Sequence, residues 1–445
     1  MSLFKKIKGQ FAANQFQREM LRGTSLGVLM KIFGLGVAYL FALIVARNLG
    51  ADAWGEFSLA LSLMIVGARI GTFGLDMGLL KLSSGSGEIA YISSIYKRSL
   101  MICICISLVI TILIYYSADW FASTLFSKPD LLTTFRLSSV AILPFSIINL
   151  NSRTLQGIDQ VQKFIFLRFV SRHIFSLMIL LVLILFSTES IIVIVSFILS
   201  LIIIAFLSTY WVFKSILRNA ESKKIRSSEY KNLYSLSISL LFTALFVLMI
   251  NWVDTVMVGI FLPEKSVGIY NITLKLSTLL VIVLGTISEI TAPKISESYS
   301  DANSQDLQKI VSYSTNLIFY LTLPVFIVLI AFPEFMLGIF GEDFKSGKNA
   351  LIILSVGHLL NAFSGTLSYF MQMTGSQVAF QIIMFSTLII CVILNYLLIP
   401  LYGIEGAAVG TGIGLVYWNS ICVIFIKYKY GIKTYVRPFF KFHDH

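Results

Sequence analysis

Charge is what this sequence has least of. Asp, Glu, Lys and Arg make up 13% of its 445 residues, against 57% hydrophobic ones, and its mean hydropathy is +0.86. A soluble domain carries about 25% charged residues, so a water-surrounded globule is excluded. Acids are the scarcer sign, 22 against 34 basic residues. Cysteine is also rare: Cys103, Cys105, Cys391 and Cys422 all fall within apolar runs. Two residues apart on a helix, Cys103 and Cys105 point to different faces, so neither a disulfide nor a metal site is expected, and packing is their expected role. His358 stands alone in an apolar run and is expected to be a satisfied core residue, while His443 and His445 in the tail carry no signal. The ~10-residue alternation of a membrane barrel is absent. The first apolar run is too long for a signal-peptide core and has no small-residue cleavage site. Gly341 to Lys348 imitates a phosphate loop, but five residues separate its glycines and Asn349 follows the lysine, so no ATP site is expected.

What the chain has instead is long apolar runs, near 25–46, 55–78, 98–117, 131–151, 167–187, 190–212, 233–262, 266–291, 310–332, 349–372, 377–399 and 405–426. Each supplies about 20 mostly apolar residues, enough to cross a ~30 Å hydrocarbon core as a helix. Because backbone groups in lipid must be satisfied internally, an all-α bundle of twelve spans is expected. Basic residues fall in alternate gaps. With the N-terminus inside, 25 Lys and Arg lie on the cytoplasmic side, four of them between the fourth and fifth runs, against 5 outside and 4 within helices. Both termini are therefore expected in the cytoplasm, and the positive charge reads as topology, with no nucleic-acid partner. The segment holding Phe4, Lys5, Lys6, Ile7, Phe11, Phe16 and Leu21 suits an amphipathic interfacial helix, or simply a basic tail.

A polar linker, Lys214–Asn232, splits the chain into six plus six. The expected organisation is a basic N-terminal segment 1–24, a lobe 25–212, a cytoplasmic linker 213–232, a second lobe 233–426 and a basic tail 427–445. Sliding by 213 residues sets Gly55-Glu56-Phe57 on Gly268-Ile269-Tyr270 and Lys81 on Lys294; Leu155-Gln156-Gly157 faces Met373-Thr374-Gly375 as a second anchor. Six helices per half make the repeats parallel, and transporters place substrate sites between such repeats. Ser58, Ser62, Arg69, Thr72 and Asp76 form one polar stripe on the second helix, and Asn271, Lys275, Thr278 and Glu289 a matching one on the eighth.

Charges inside membrane helices require a reason, because each costs roughly 2.5–3.5 kcal/mol at the bilayer centre. Lys31, Arg69 and Lys275 are deep cations, expected to line a cationic cavity. Arg136 enters from the outer side and can snorkel to a rim position. Asp254, with Asn251 on its face, is an internal ion pair or a cation or proton site; Asp76 and Glu289 sit nearer the helix ends. Three deep cations against one deep acid suit an anionic substrate, above all a phosphate.

Arg47-Asn48-Leu49-Gly50 through Gly55-Glu56-Phe57, Gly74-Leu75-Asp76 ahead of Lys81, Leu155-Gln156-Gly157, Asp254-Thr255-Val256-Met257-Val258-Gly259, Val267-Gly268-Ile269-Tyr270, Ala292-Pro293-Lys294-Ile295-Ser296 and Pro400 through Gly406-Ala407-Ala408 form an ordered set. In this set the chain resembles the polysaccharide transporters of the multidrug/oligosaccharidyl-lipid/polysaccharide exporter superfamily, specifically Wzx-type flippases. The resemblance implies two six-helix lobes around a cationic cavity. It also implies a substrate, an undecaprenyl-diphosphate-linked oligosaccharide moved to the outer leaflet of a bacterial cytoplasmic membrane for O-antigen or other surface polysaccharide. Related lipid II flippases carry basic cavity residues on the first, second and eighth helices, where Lys31, Arg69 and Lys275 lie here. Such a protein needs no cofactor, works as a monomer and meets polymerase or chain-length machinery. The rivals are a drug/cation antiporter of the same fold and an integral-membrane glycosyltransferase or polymerase, for which the outer loop Pro333–Lys348 offers only Glu334, Glu342 and Asp343 as acids.

Overall fold

The computed structural model describes residues 2–86, 89–218, 227–301 and 304–436, without the side chains of 2–28, 84–86, 227–232, 236, 239, 243 and 247. The amphipathic character expected of residues 4–21, most of the polar linker and the end of the basic tail therefore lie outside the described residues. Every regular element among the described residues is helical.

Among the described residues, eight helices are long and apolar enough to cross a membrane, or up to ten if each of two bent pairs forms one span. Two of the eight far exceed a bilayer. Leu29–Gly71 has 43 residues and Gln377–Tyr430 has 54, about 65 and 81 Å at 1.5 Å per residue. Each is broken once, at Gly50 (φ 87°, ψ −179°) and at Gly403 (φ 60°, ψ −135°). Those backbone conformations suit a residue without Cβ, and both breaks fall in gaps between apolar runs. The run at 55–78 is not continuous as the sequence suggests: its helix ends at Gly71, and the next begins at Leu75. Phe73 (φ 51°) and Gly74 (φ 70°) turn the chain between them. The run at 266–291 is likewise divided, into Glu264–Ser277 and Leu279–Ser300.

The chain forms two compact units. The first comprises Met1–Ile44, Leu63–Ala122 and Lys128–Phe242; the second comprises Val45–Ser62, Ser123–Ser127 and Thr243–His445. In the first, Tyr96, Phe135 and Phe197 are fully buried. Its interior is stitched by hydrogen bonds as well as packing. The Tyr96 hydroxyl donates to Asn151 Oδ1 (2.6 Å), and Asn151 Nδ2 donates to Ser208 and Thr209 (3.0 Å each). Buried serines such as Ser138, Ser196 and Ser200 donate to carbonyls three or four residues back, which lets their helices pack closely without an orphaned hydroxyl.

In the second unit, Ile295, Leu307, Phe370, Ile383, Cys422 and Ile426 are part of one apolar core. Here Gly55 meets Gly268, the pair that the 213-residue register sets on each other. A Cβ on Gly55 would lie 1.9 Å from Glu264 O, and one on Gly268 2.0 Å from Ala51 O. Neither backbone can yield, so both positions require glycine. The large apolar side chains left outside, among them Leu185, Phe186 and Leu401, give a multi-pass membrane protein its lipid-facing surface.

Candidate functional site

In the first unit the turn at Phe73–Gly74 folds the start of Leu75–Ser86 back toward the preceding helix. Asp76, in the first turn of that helix, thereby meets Arg69: Nη1 donates to Oδ2 at 2.8 Å. Asp76 is fully buried, Arg69 nearly so, and Asp76 Oδ1 has no hydrogen-bond partner. The polar stripe is thus carried by two helices, and its hydroxyls are locally satisfied: Ser58 donates to Trp54 O, Ser62 to Leu59 O and Thr72 to Arg69 O. Lys31 is half-buried, its ammonium 5.5 Å from the centre of the Phe169 ring. Arg136 is exposed and lies over the Tyr115 ring.

The largest addition to the sequence reading concerns charges that the topology count treats as cytoplasmic. Of the four basic residues so counted, Arg153 and Lys163 lie between the fourth and fifth runs, and Arg168 and Arg172 lie in the first residues of the fifth. Arg168 and Arg172 lie within the membrane-span helix Val161–Leu183, about 10 and 16 Å along it at 1.5 Å per residue. Spaced four apart, they share a face, and a π-helical turn at Phe166–Val170 surrounds Arg168. Arg168 Nη1 donates to Asn149 Oδ1 at 3.3 Å, and Arg172 stacks over Phe145. Both arginines line a pocket closed by Phe145, Ile148, Leu167 and Ile204. Arg153 donates to Gln156 Oε1 at 2.7 Å and lies over Phe164. Arg168 lies within electrostatic reach of Arg153, Arg172, Arg69 and Asp76, and Arg153 within reach of Arg69 and Asp76. Asp76 is the one buried acid of this unit among the described residues. The signal that could have found the pair was arginines four apart entering an apolar run.

The second unit holds Lys275 and Asp254. The Lys275 ammonium sits 5.2 Å above the Trp54 ring, and Trp54 Nε1 donates to Asn271 Oδ1 at 3.1 Å. Two stripe residues of the eighth run, Asn271 and Lys275, are therefore gathered around one indole. Asp254 is buried, and its carboxylate accepts from Asn395 Nδ2 (2.6 Å) and Thr411 Oγ1 (2.7 Å). The Tyr270 hydroxyl is 3.1 Å from the same Thr411 oxygen. These partners come from far along the chain, whereas Asn251, the sequence neighbour paired with Asp254 above, is exposed, as is Glu289. The Asp254 carboxylate thus has two direct donors, Asn395 and Thr411, with Tyr270 behind Thr411, chemistry that suits a small cation or a proton.

His358 departs from the satisfied core residue expected. It is buried, and neither ring nitrogen has a hydrogen-bond partner. The segment Glu342–Gly347 is a 3₁₀ turn, and the lysines in and around it are engaged by acids: Lys345 by Glu342, Lys348 by Glu334 and Lys265 by Asp343. It offers no cradle for a nucleotide. Cys103 is buried and Cys105 exposed, on different faces as expected. No metal-ligating cluster is found among the described residues.

Residues 20–299 match the family model described as polysaccharide biosynthesis protein, well over half the chain, and residues 239–397 match that of the MatE family. The chain belongs to the polysaccharide biosynthesis protein family. Two proteins of the archaeon Haloferax volcanii are similar to it. "Probable low-salt glycan biosynthesis flippase Agl15" is 26% identical over 164 residues, 37% of this chain and 35% of that protein. "Probable flippase AglR" is 25% identical over 179 residues, 39% and 37% of the two chains. The chain spans little more than a third of the length of these curated relatives. Among solved structures, an inward-facing multidrug-resistance MATE transporter of the MOP superfamily has a TM-score of 0.76 at 15% identity, covering 89% of this chain and 94% of the other. The lipid II flippase MurJ, inward closed, has 0.71 at 15%, covering 90% and 87%. The fold is that of these MOP-superfamily transporters.

Proposed function

We propose that this family member is a flippase, a transporter and not an enzyme. Its proposed cargo is an undecaprenyl-diphosphate-linked oligosaccharide, carried from the cytoplasmic to the outer leaflet of a bacterial cytoplasmic membrane for O-antigen or related surface polysaccharide. The observation that carries this reading is the sign of the interior charge. Among the described residues of the first unit, Lys31, Arg69, Arg168 and Arg172 stand against one buried carboxylate, Asp76, which Arg69 already engages. Cations held in a membrane interior in such excess suit a diphosphate and repel an organic cation. The names of the haloarchaeal relatives and of the MurJ structure point the same way.

The proposed architecture is twelve helices in two six-helix lobes with both termini cytoplasmic, acting as a monomer by alternating access alongside the polymerase and chain-length machinery. Arg69, Lys275 and Lys31 engage the diphosphate, the glycan occupies the polar interior and the polyprenyl tail stays in lipid, with Arg136 at the outer rim. An inside-negative potential assists: about 2.3 kcal/mol per charge per 100 mV gives roughly 4–5 kcal/mol for a headgroup near −2. Cation coupling belongs to Asp254 with Asn395 and Thr411, while Asp76 serves as counter-ion to Arg69.

One observation favours a drug/cation antiporter instead: the buried Asp254 group lies within the segment that matches the MatE family. The two readings separate in a strain lacking the protein. The flippase reading expects polyprenyl-diphosphate glycans to accumulate on the cytoplasmic side, seen by mass spectrometry with a leaflet-access probe. Normal glycan export with altered drug tolerance would favour the antiporter.

A further inference from the structure

The pocket of the helix Val161–Leu183 carries a charge excess that no partner among the described residues balances. Arg168 and Arg172 line it, and Arg153 adds a third guanidinium within electrostatic reach of Arg168. The described partners of all three are neutral: the amides of Asn149 and Gln156 and the rings of Phe145 and Phe164. The buried Nε atoms of Arg153 and Arg172 have no hydrogen-bond partner. Asp76, the acid within electrostatic reach of Arg153 and Arg168, is committed to Arg69 at 2.8 Å. Buried cations without counter-ions are strongly unfavourable, and an anion arriving from outside relieves them. Guanidinium groups four residues apart present forked donors toward one face, the geometry that grips phosphate oxygens. Of the remaining walls, Ile148, Leu167, Leu201 and Ile204 are aliphatic, and the Ser152 hydroxyl is engaged by the Asn149 carbonyl. Free phosphate would gain nothing from them, whereas a hydrocarbon chain joined to the phosphate would cover them.

We propose that Arg168 and Arg172, supported by Arg153 and Asn149, form a pocket for the phosphate ester of an amphiphilic lipid. It is distinct from the positions of Arg69 and Lys275. The physiological lipid is the polyprenyl-diphosphate carrier if the flippase reading holds, and the pocket then receives the headgroup in addition to those residues. A glycerophospholipid of the bilayer presents the same chemistry, and the test separates the two.

Purified full-length protein is titrated with undecaprenyl diphosphate, with phosphatidylglycerol and with inorganic pyrophosphate, read by native mass spectrometry and by ligand-induced shifts in melting temperature. Wild type should bind a lipid phosphate, and Arg168→Gln/Arg172→Gln should bind it at least about tenfold more weakly. Asn149→Asp keeps the side-chain shape while placing a carboxylate against Arg168, and should weaken binding similarly. Without lipid, the double variant should melt no lower than wild type, because it removes unpaired charge; a purely structural pair would show the opposite. Loss confined to undecaprenyl diphosphate assigns the pocket to the carrier, and loss confined to phosphatidylglycerol assigns it to bilayer lipid. Undiminished lipid binding in both variants would overturn the pocket and leave the flippase reading intact. Binding of pyrophosphate as tight as that of either lipid would overturn the role of the apolar walls. No binding of any probe by wild type would overturn the proposal outright, while glycan accumulation in the deletion strain judges the transport reading separately.

Discussion

At the scale of single residues, the buried pair Arg69–Asp76 is the most constrained contact in the first unit. Asp76 is inaccessible to solvent, and Arg69 is its hydrogen-bonded counter-ion at 2.8 Å. Removing one member leaves the other charged and buried, whereas removing both leaves neither. Asp76→Asn should therefore lower the melting temperature more than Arg69→Gln/Asp76→Asn does, a double-mutant comparison that differential scanning fluorimetry can make. Arg69→Ala and Lys275→Ala should each abolish transport in a complementation assay while folded protein persists at the membrane. The outer pairs behave oppositely, being exposed. Hydrogen bonding from Lys348, with the charge of that lysine, holds the Glu334 carboxyl below its usual range, and the hydrogen bond to Asp343 raises Lys265. A depressed carboxyl contributes stability above its unfolded value of about 4.3 and loses it as pH falls through the folded value; a raised lysine contributes below about 10.4 and loses it as pH rises beyond. Both pairs should support thermal stability between about pH 5 and 10, weakly, and less so in high salt. Melting curves across pH at two ionic strengths check this.

At the scale of elements, the helix crossing at Gly55 and Gly268 is the sharpest packing constraint. Either glycine changed to alanine would drive a Cβ to within about 2 Å of a carbonyl oxygen on the facing helix. Gly55→Ala and Gly268→Ala should each reduce the yield of folded protein and destabilise it by more than about 2 kcal/mol, with Gly36→Ala, where a Cβ meets nothing, as the tolerated control. The 213-residue register of the sequence sets these two glycines on each other, and the structure packs them together. The turn at Phe73–Gly74 was not legible, since an apolar run continues through it and periodicity cannot see a change of direction within lipid-compatible sequence. The arginine pair was missed for a related reason. Arg168 and Arg172 stand at the start of an apolar run, where a count of loop charges absorbs them; only the helix beginning at Val161 shows how deep they sit. Asp254 stood out as a deep acid, but its partners Asn395 and Thr411 are 141 and 157 residues away, and no local pattern names them.

At the scale of the whole molecule, composition and run length dictate an all-helical membrane protein, and the family follows from 20–299. On the proposed flippase reading, what the chain carries is governed by the sign of its interior charge, which composition blurs because most lysines and arginines lie outside the apolar runs. Asp254→Asn should uncouple transport from a cation gradient, or from pH, while leaving lipid binding near wild type; loss of lipid binding in this variant would place Asp254 in the substrate site. The central claim is tested most directly in a strain lacking this protein, by mass spectrometry of polyprenyl-diphosphate-linked glycans with a probe of leaflet access. The account predicts accumulation on the cytoplasmic side, reversed by the wild-type gene and not by Arg69→Ala. A strain that makes these glycans yet exports them normally without the protein would contradict it.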